Sequence, residues 1–266
     1  MYRKFCVSDA DKLYLESTSK GNQRKWIYDN CFLKADTMGY ESIAEYTVSD
    51  FLHYAEGVDF TEYMLCEIYD GTNTYPGCYS ENFLQENEEC WSFFKILKVY
   101  FGSSKAAEKE LQKRTGKVKY DFVIDIVSEV SSLDINSYIS NVLLLDCLTL
   151  NEDRHLNNLC VIKGKQNWRV CPVFDNGLSL LSDTGAYPTG VPVRTYINKV
   201  KSKPFSSDFI KQASYAGGKL IIDFKKYCTD LENKSAEFKN KEFGRATSVL
   251  LRRCRKLEGT IWEQKH

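Results

Sequence analysis

The chain has 266 residues, 43% hydrophobic and 27% charged, an ordinary globular balance and enough length for one large domain or two lobes. Lys plus Arg and Asp plus Glu both number 36, giving zero formal net charge, which argues against a dedicated nucleic-acid binder. The ten cysteines form no CxxC pair, so zinc has little support and buried thiols in a reducing, cytoplasmic setting fit better.

The first residues, Met1-Tyr2-Arg3-Lys4-Phe5-Cys6, lack an apolar h-region, and no run approaches the ~18 residues of a bilayer span. Secretion by a signal-less route stays open. Ser17-Thr18-Ser19-Lys20-Gly21-Asn22 is small and polar and reads as a loop. Trp26-Ile27-Tyr28 and Cys31-Phe32-Leu33-Lys34 are β-prone runs around the turn pair Asp29-Asn30. Residues 40–55 have helical spacing, with Ile43, Tyr46, Thr47, Phe51 and Tyr54 near one face. Residues 62–69 read as a strand. The turn-rich stretch 70–77 then reads as a boundary between a small lobe, 1–69, and a mostly helical large lobe, 70–266.

Beyond that boundary, residues 89–100 and 122–130 show helical periodicity. Residues 134–150 read as a buried helix that delivers the chain to Asp153. Leu159-Cys160-Val161-Ile162 and Trp168-Arg169-Val170-Cys171 suit a hairpin. Pro172-Val173-Phe174-Asp175 leaves that hairpin and returns Asp175 toward Asp153 and Asn158. The segments 208–214, 220–231 and 243–257 read as amphipathic helices.

The chemistry concentrates in Asp153-Arg154-His155-Leu156-Asn157-Asn158 and Phe174-Asp175-Asn176-Gly177. An Asp, an Asn five positions later and a second Asp match the kinase catalytic-loop order and spacing. Asn158 and Asp175 supply the hard oxygen ligands that Mg²⁺ prefers. Asp153 is placed to take or orient the acceptor hydroxyl proton. A cation for ATP phosphates is also needed. Lys34 ends a β-prone run before a helix that carries Glu41 and Glu45, and Glu45 is the preferred partner because its flanks are more apolar. Ser17, Thr18, Ser19 and Gly21 suit close approach of backbone N–H groups to phosphate. His155 reads as structural. Arg154 reads as a bridge between acidic groups, a phosphate ligand or a solvated side chain.

Asp153-Arg154-His155-Leu156-Asn157-Asn158-Leu159, together with Pro172-Val173-Phe174-Asp175-Asn176-Gly177, resembles the HipA-like serine/threonine protein kinases, nearest their compact, CtkA-like branch. The phosphoinositide 3/4-kinase loop is a more distant relative of the pattern. The likeness is specific over residues 141–181 and looser over 17–46. It implies a two-lobed α+β protein-kinase-like fold that uses ATP and Mg²⁺. Asp153 would be catalytic, Asn158 and Asp175 metal ligands, and Lys34 the phosphate lysine. Ser17 and Ser19 would lie in an ATP loop where relatives autophosphorylate. The resemblance further implies a protein substrate with a Ser/Thr acceptor and, for toxin members, an antitoxin-like protein partner. The short stretch before the ATP loop leaves little room for the subdomain that recruits such a partner. The rival readings are a kinase-fold enzyme acting on a small molecule or lipid, and a non-catalytic nucleotide-binding module.

Overall fold

The computed structural model describes residues 2–12, 23–237 and 240–265. Strands β1 (Arg3–Cys6), β2 (Lys25–Tyr28), β3 (Cys31–Ala35), β4 (Met64–Tyr69) and β5 (Thr74–Glu81) build a sheet in the order β1-β4-β5-β3-β2. The β2–β3 hairpin closes over Asp29 and Asn30 at φ 52° and 55°. Two successive left-handed residues match the twist of the flanking strands, and Asn and Asp tolerate that conformation best after glycine. Phe5, Val7, Trp26, Leu33, Ala35, Cys66 and Ile68 form the core on one face of this sheet.

The stretch 70–77 does not separate two lobes. Its first residues are a hairpin turn in which the Asp70 carboxylate accepts from the N–H groups of Thr72 at 3.0 Å and Asn73 at 2.8 Å. The chain then re-enters the same sheet as β5, antiparallel to both β3 and β4. The sheet therefore runs to Glu81, beyond the boundary expected at residue 69. Turn chemistry marks a reversal but cannot say whether the next segment stays in the sheet.

Helix α1 (Glu41–Leu52) packs between this sheet and the helical remainder. Gly39, just before it, pairs with Asp183. A Cβ on Gly39 would come within 2.1 Å of Ser182 O, so only glycine permits that approach.

The remainder comprises β6 (Glu89–Ser92), α2 (Phe93–Tyr100), α3 (Ser104–Gln112), α4 (Gly116–Ser131), α5 (Asn136–Thr149), β7 (Cys160–Lys163), β8 (Trp168–Val170), α6 (Phe209–Ala216), β9 (Leu220–Ile222), α7 (Phe224–Glu237), α8 (Lys241–Leu257) and β10 (Trp262–Gln264). Helix α5 is buried nearly all round, from Tyr138 to Thr149. Along α8, Phe243, Ala246, Val249, Leu250, Cys254 and Leu257 form a buried stripe at helical spacing. These side chains belong to one large core that also takes in Ile43, Val48, Phe51 and Leu52 of α1.

Two expected helices start later than their periodicity suggested. Residues 89–92 are strand, because they pair with β7. Ser92 then caps α2 by accepting from Lys95 N at 3.0 Å. Residues 220–222 are strand as well, recruited by β10 in parallel. Short apolar runs fit either period, and the available partner decided these two.

Candidate active site

Lys34 lies on β3 with its side chain turned inward, and Glu45 lies on the second turn of α1. Lys34 Nζ is 2.6 Å from Glu45 Oε1 and 2.8 Å from Asp175 Oδ1. Lys34 is 6% exposed and Glu45 0%, so both charges depend on each other rather than on water. Burial alone would lower the Lys34 ammonium. Asp175 and then Glu45 more than offset this and hold it well above its ordinary value. The Tyr63 ring lies 4.9 Å from the ammonium.

Glu41 does not take part in this pairing. Its carboxylate turns back to accept from the N–H groups of Thr37 at 3.0 Å, Met38 at 2.7 Å and Gly39 at 2.8 Å. It therefore organises the loop into α1 and leaves Lys34 to Glu45.

Helix α5 ends at Leu150, a left-handed C-cap with φ 58°, which turns the chain into the loop carrying Asp153. Asn151 stitches two segments together. Its Oδ1 accepts from Asp153 N at 3.1 Å and its Nδ2 donates to Asp175 O at 3.3 Å. Asn158 Nδ2 donates to Asp153 O at 3.0 Å, which commits the nitrogen end of the amide and leaves Oδ1 as the metal-competent atom. The Asp153 carboxylate lies 3.1 Å from Lys203 Nζ and 3.8 Å from His155 Nε2.

Arg154 points inward, into the core. It is 1% exposed and its Nη2 lies 3.0 Å from Asp146 Oδ1, on a residue that is 0% exposed. It also donates to Phe174 O at 2.7 Å, Asn158 O at 3.4 Å and Asn176 Oδ1 at 2.6 Å. One planar guanidinium thus fixes the residues on both sides of Asp175 to the loop that bears Asp153 and Asn158.

Asp175 is held at φ 60°, an uncommon conformation that Asp tolerates better than most residues. Leu180 and Leu181 follow at φ 56° and 63°, and two bulky residues there concentrate backbone strain beside the site. Lys34 occupies Asp175 Oδ1, and Lys25 Nζ lies 3.6 Å from Oδ2. Burial alone would raise the Asp175 carboxyl. Lys25, Lys34 and then Arg154 overcome that and hold it well below the usual carboxylate range. Glu45 Oε2 accepts from Asn176 N at 2.8 Å, so the Lys34 partner also fixes the backbone after Asp175.

The donor chemistry suits Mg²⁺ completed by phosphate oxygens and water. An ionised carboxylate and an amide oxygen are hard ligands, and such sites need only one or two carboxylates. Among the described residues no cluster of three or more His, Cys, Asp or Glu side chains is placed to bind a metal by itself.

Lys34, Glu45, Asp153, Asn158 and Asp175 are thus tied into one network. The other nucleotide candidates, Ser17, Thr18, Ser19 and Gly21, lie outside the described residues. The sequence reading did not single out Asp146, Asn151, Lys25 or Lys203. Only the Asp within the apolar run of α5 gave a local signal, because a charge there requires a buried partner. Three rings, Phe32, Phe83 and Phe174, line up at centroid spacings of 5.7 and 5.8 Å. They connect β3, the segment after β5 and the residue before Asp175.

No protein-family model matches the sequence, nor does any curated protein. Among solved structures, the chain is similar to the crystal structure of a Helicobacter pylori proinflammatory kinase, CtkA. The TM-score is 0.64 and the sequence identity 15%, over 96% of this chain and 95% of that one. The fold is therefore α+β and kinase-like, with a β-rich amino-terminal part and a mostly helical remainder.

Proposed function

We propose that the chain is an ATP- and Mg²⁺-dependent phosphotransferase of the HipA-like type that phosphorylates Ser or Thr on a protein. The observation that carries this reading is the buried Lys34 bridging Glu45 at 2.6 Å and Asp175 at 2.8 Å, on a kinase-like fold. A strand lysine, a helix glutamate and a metal-ligand aspartate held together are the parts that phosphoryl transfer from ATP requires.

In this reading Lys34 neutralises ATP phosphates, and Glu45 keeps it extended from β3. Asn158 Oδ1 and Asp175 would hold Mg²⁺, whose contribution is to neutralise phosphate charge. Asp153 accepts the proton of the acceptor hydroxyl. The hydroxyl oxygen forms the new bond to the γ-phosphorus as the bond to the β–γ bridging oxygen breaks, with its electron pair leaving on ADP. Arg154 and Asn151 hold the two carboxylate-bearing segments in register, which is the positioning on which this chemistry depends. The strained backbone at Asp175, Leu180 and Leu181 fits a segment shaped for the reaction rather than for stability.

Incubation of the purified chain with Mg·[γ-³²P]ATP and Ser/Thr-containing proteins, followed by mass spectrometry, tests the proposal. Label should appear on Ser or Thr, with Ser17–Ser19 as the expected self-modified stretch. Asp153→Asn should reduce transfer by about 10²–10⁴-fold while nucleotide binding and the thermal midpoint stay near wild type. Label found only on a metabolite or lipid would replace the protein acceptor. Binding of Mg·ATP without any turnover would reduce the chain to a nucleotide-binding module.

A further inference from the structure

The Asp153 carboxylate is met by a cation from a distant part of the chain. Lys203 Nζ lies 3.1 Å from Asp153 Oδ1, across fifty positions of sequence. The Lys203 side chain is 39% exposed, so the pair is too well solvated to be a major element of stability.

Its backbone, by contrast, is held by buried groups. Gln212, 1% exposed, donates Nε2 to Lys203 O at 2.7 Å and accepts at Oε1 from Phe205 N at 2.9 Å and Ser206 N at 3.1 Å. Ser202 Oγ donates to Ser206 O at 2.7 Å, and Lys119 Nζ donates to Pro204 O at 3.2 Å. The Phe205 ring packs edge-on against Tyr120 at 5.2 Å. A buried amide that spends both ends on one turn fixes that turn, and the turn delivers a water-accessible ammonium to one carboxylate. Preorganisation of this kind is expected of a group used in a reaction.

Among the described residues, the other Lys and Arg side chains of the site are engaged elsewhere. Arg154 is turned inward onto Asp146, and Lys34 and Lys25 both face Asp175. Lys203 supplies positive charge on the Asp153 side, where the acceptor must enter.

We propose that Lys203 is a catalytic residue that binds the transferring phosphoryl group from the acceptor side. This rests on the kinase reading above. As the acceptor oxygen bonds to phosphorus and the bond to the ADP oxygen breaks, negative charge spreads over the phosphoryl oxygens. The Lys203 side chain stabilises that charge. Asp153 takes the acceptor proton, and the ion pair between the two keeps the ammonium beside the point of attack. Gln212 is a positioning residue that acts through the Lys203 backbone.

The test compares wild type, Lys203→Met, Lys203→Gln and Lys203→Arg, using initial rates with Mg·[γ-³²P]ATP on the chain itself and on a mixture of Ser/Thr peptides. Both neutral variants should lose roughly 100-fold in kcat, with KM for ATP within about threefold because Lys34 and the metal ligands still hold the nucleotide. Thermal midpoints should match wild type, and Lys203→Arg should recover part of the rate. A wild-type kcat in both neutral variants overturns the inference and leaves the kinase reading intact. An increased kcat also overturns it, since the ammonium would then be masking Asp153. Absence of transfer by well-folded wild type that still binds Mg·ATP removes the kinase reading and this inference together.

Discussion

Replacing Arg154 by Met should expose how much of the site depends on one buried cation. The guanidinium contacts Asp146 through Nε at 3.1 and 3.2 Å and through Nη2 at 3.0 Å. The substitution leaves the Asp146 carboxylate at 0% exposure with its counter-charge gone. Breaking such a pair from one side costs about 3–5 kcal/mol. For a chain of this length that corresponds to a fall of roughly 6–20 °C in thermal midpoint. Burial already pushes the Asp146 carboxyl up, and Arg154 only partly offsets it. Without Arg154 the carboxyl rises further and the folded state holds the proton that the unfolded chain releases. The variant should therefore lose more stability at pH 8 than at pH 5. Asp146→Leu combined with Arg154→Met removes both charges, and this pair should be less destabilised than the Arg154→Met single variant. Urea unfolding of wild type, the Arg154→Met and Asp146→Leu single variants and the double variant at both pH values measures the coupling. Additive losses, or an Arg154→Met loss below about 1 kcal/mol, would show that the buried pair is not what holds the loop to Asp175.

Glu45→Gln keeps an acceptor for Asn176 N but removes one of the two counter-charges of Lys34; transfer should drop by roughly 100-fold, with a stability loss of about 1–3 kcal/mol, read by initial rates and thermal unfolding. Asp36 tests linkage at the start of α1. Burial pushes its carboxyl from 3.8 up to about 7, against the opposing hydrogen bonds from Ser42. Its folded-state pKa is raised, so the associated stability is complete below the unfolded value and is lost as pH rises toward 7. Asp36→Asn should remove up to about 4 kcal/mol of that pH dependence. Parallel urea titrations of the two proteins from pH 4.5 to 8 give the difference, and equal slopes would sink the assignment.

Much of the candidate site was legible because its residues lie in short segments of fixed spacing. The Asp153-to-Asn158 interval fixes a loop, and the two runs either side of 163–167 fix a hairpin that brings Asp175 back. The preference for Glu45 over Glu41 also follows from local polarity. An apolar flank marks a buried position, and Glu45 is buried with Lys34. Glu41 is buried as well, but three backbone N–H groups satisfy it, which flanking polarity cannot foresee. The turn at 70–73 was visible as a turn. Its sheet membership was not, because pairing of β5 with β3 and β4 depends on strands more than thirty residues away in one case.

Residue type and spacing alone determined that Lys34, Asp153, Asn158 and Asp175 occur in the order of the phosphoryl-transfer site proposed above. They also set the twist of the β2–β3 hairpin and the buried stripe of α8. These features are local, since the atoms that make them lie within a few residues of one another. The three-dimensional fold alone decided that Arg154 turns inward to Asp146, that Lys25 joins Lys34 on Asp175, and that Lys203 reaches Asp153. A charged side chain reads the same whether solvated or buried. Its role is set by the partner that long-range packing brings within about 3 Å, where Coulomb attraction and hydrogen bonding outweigh the loss of water.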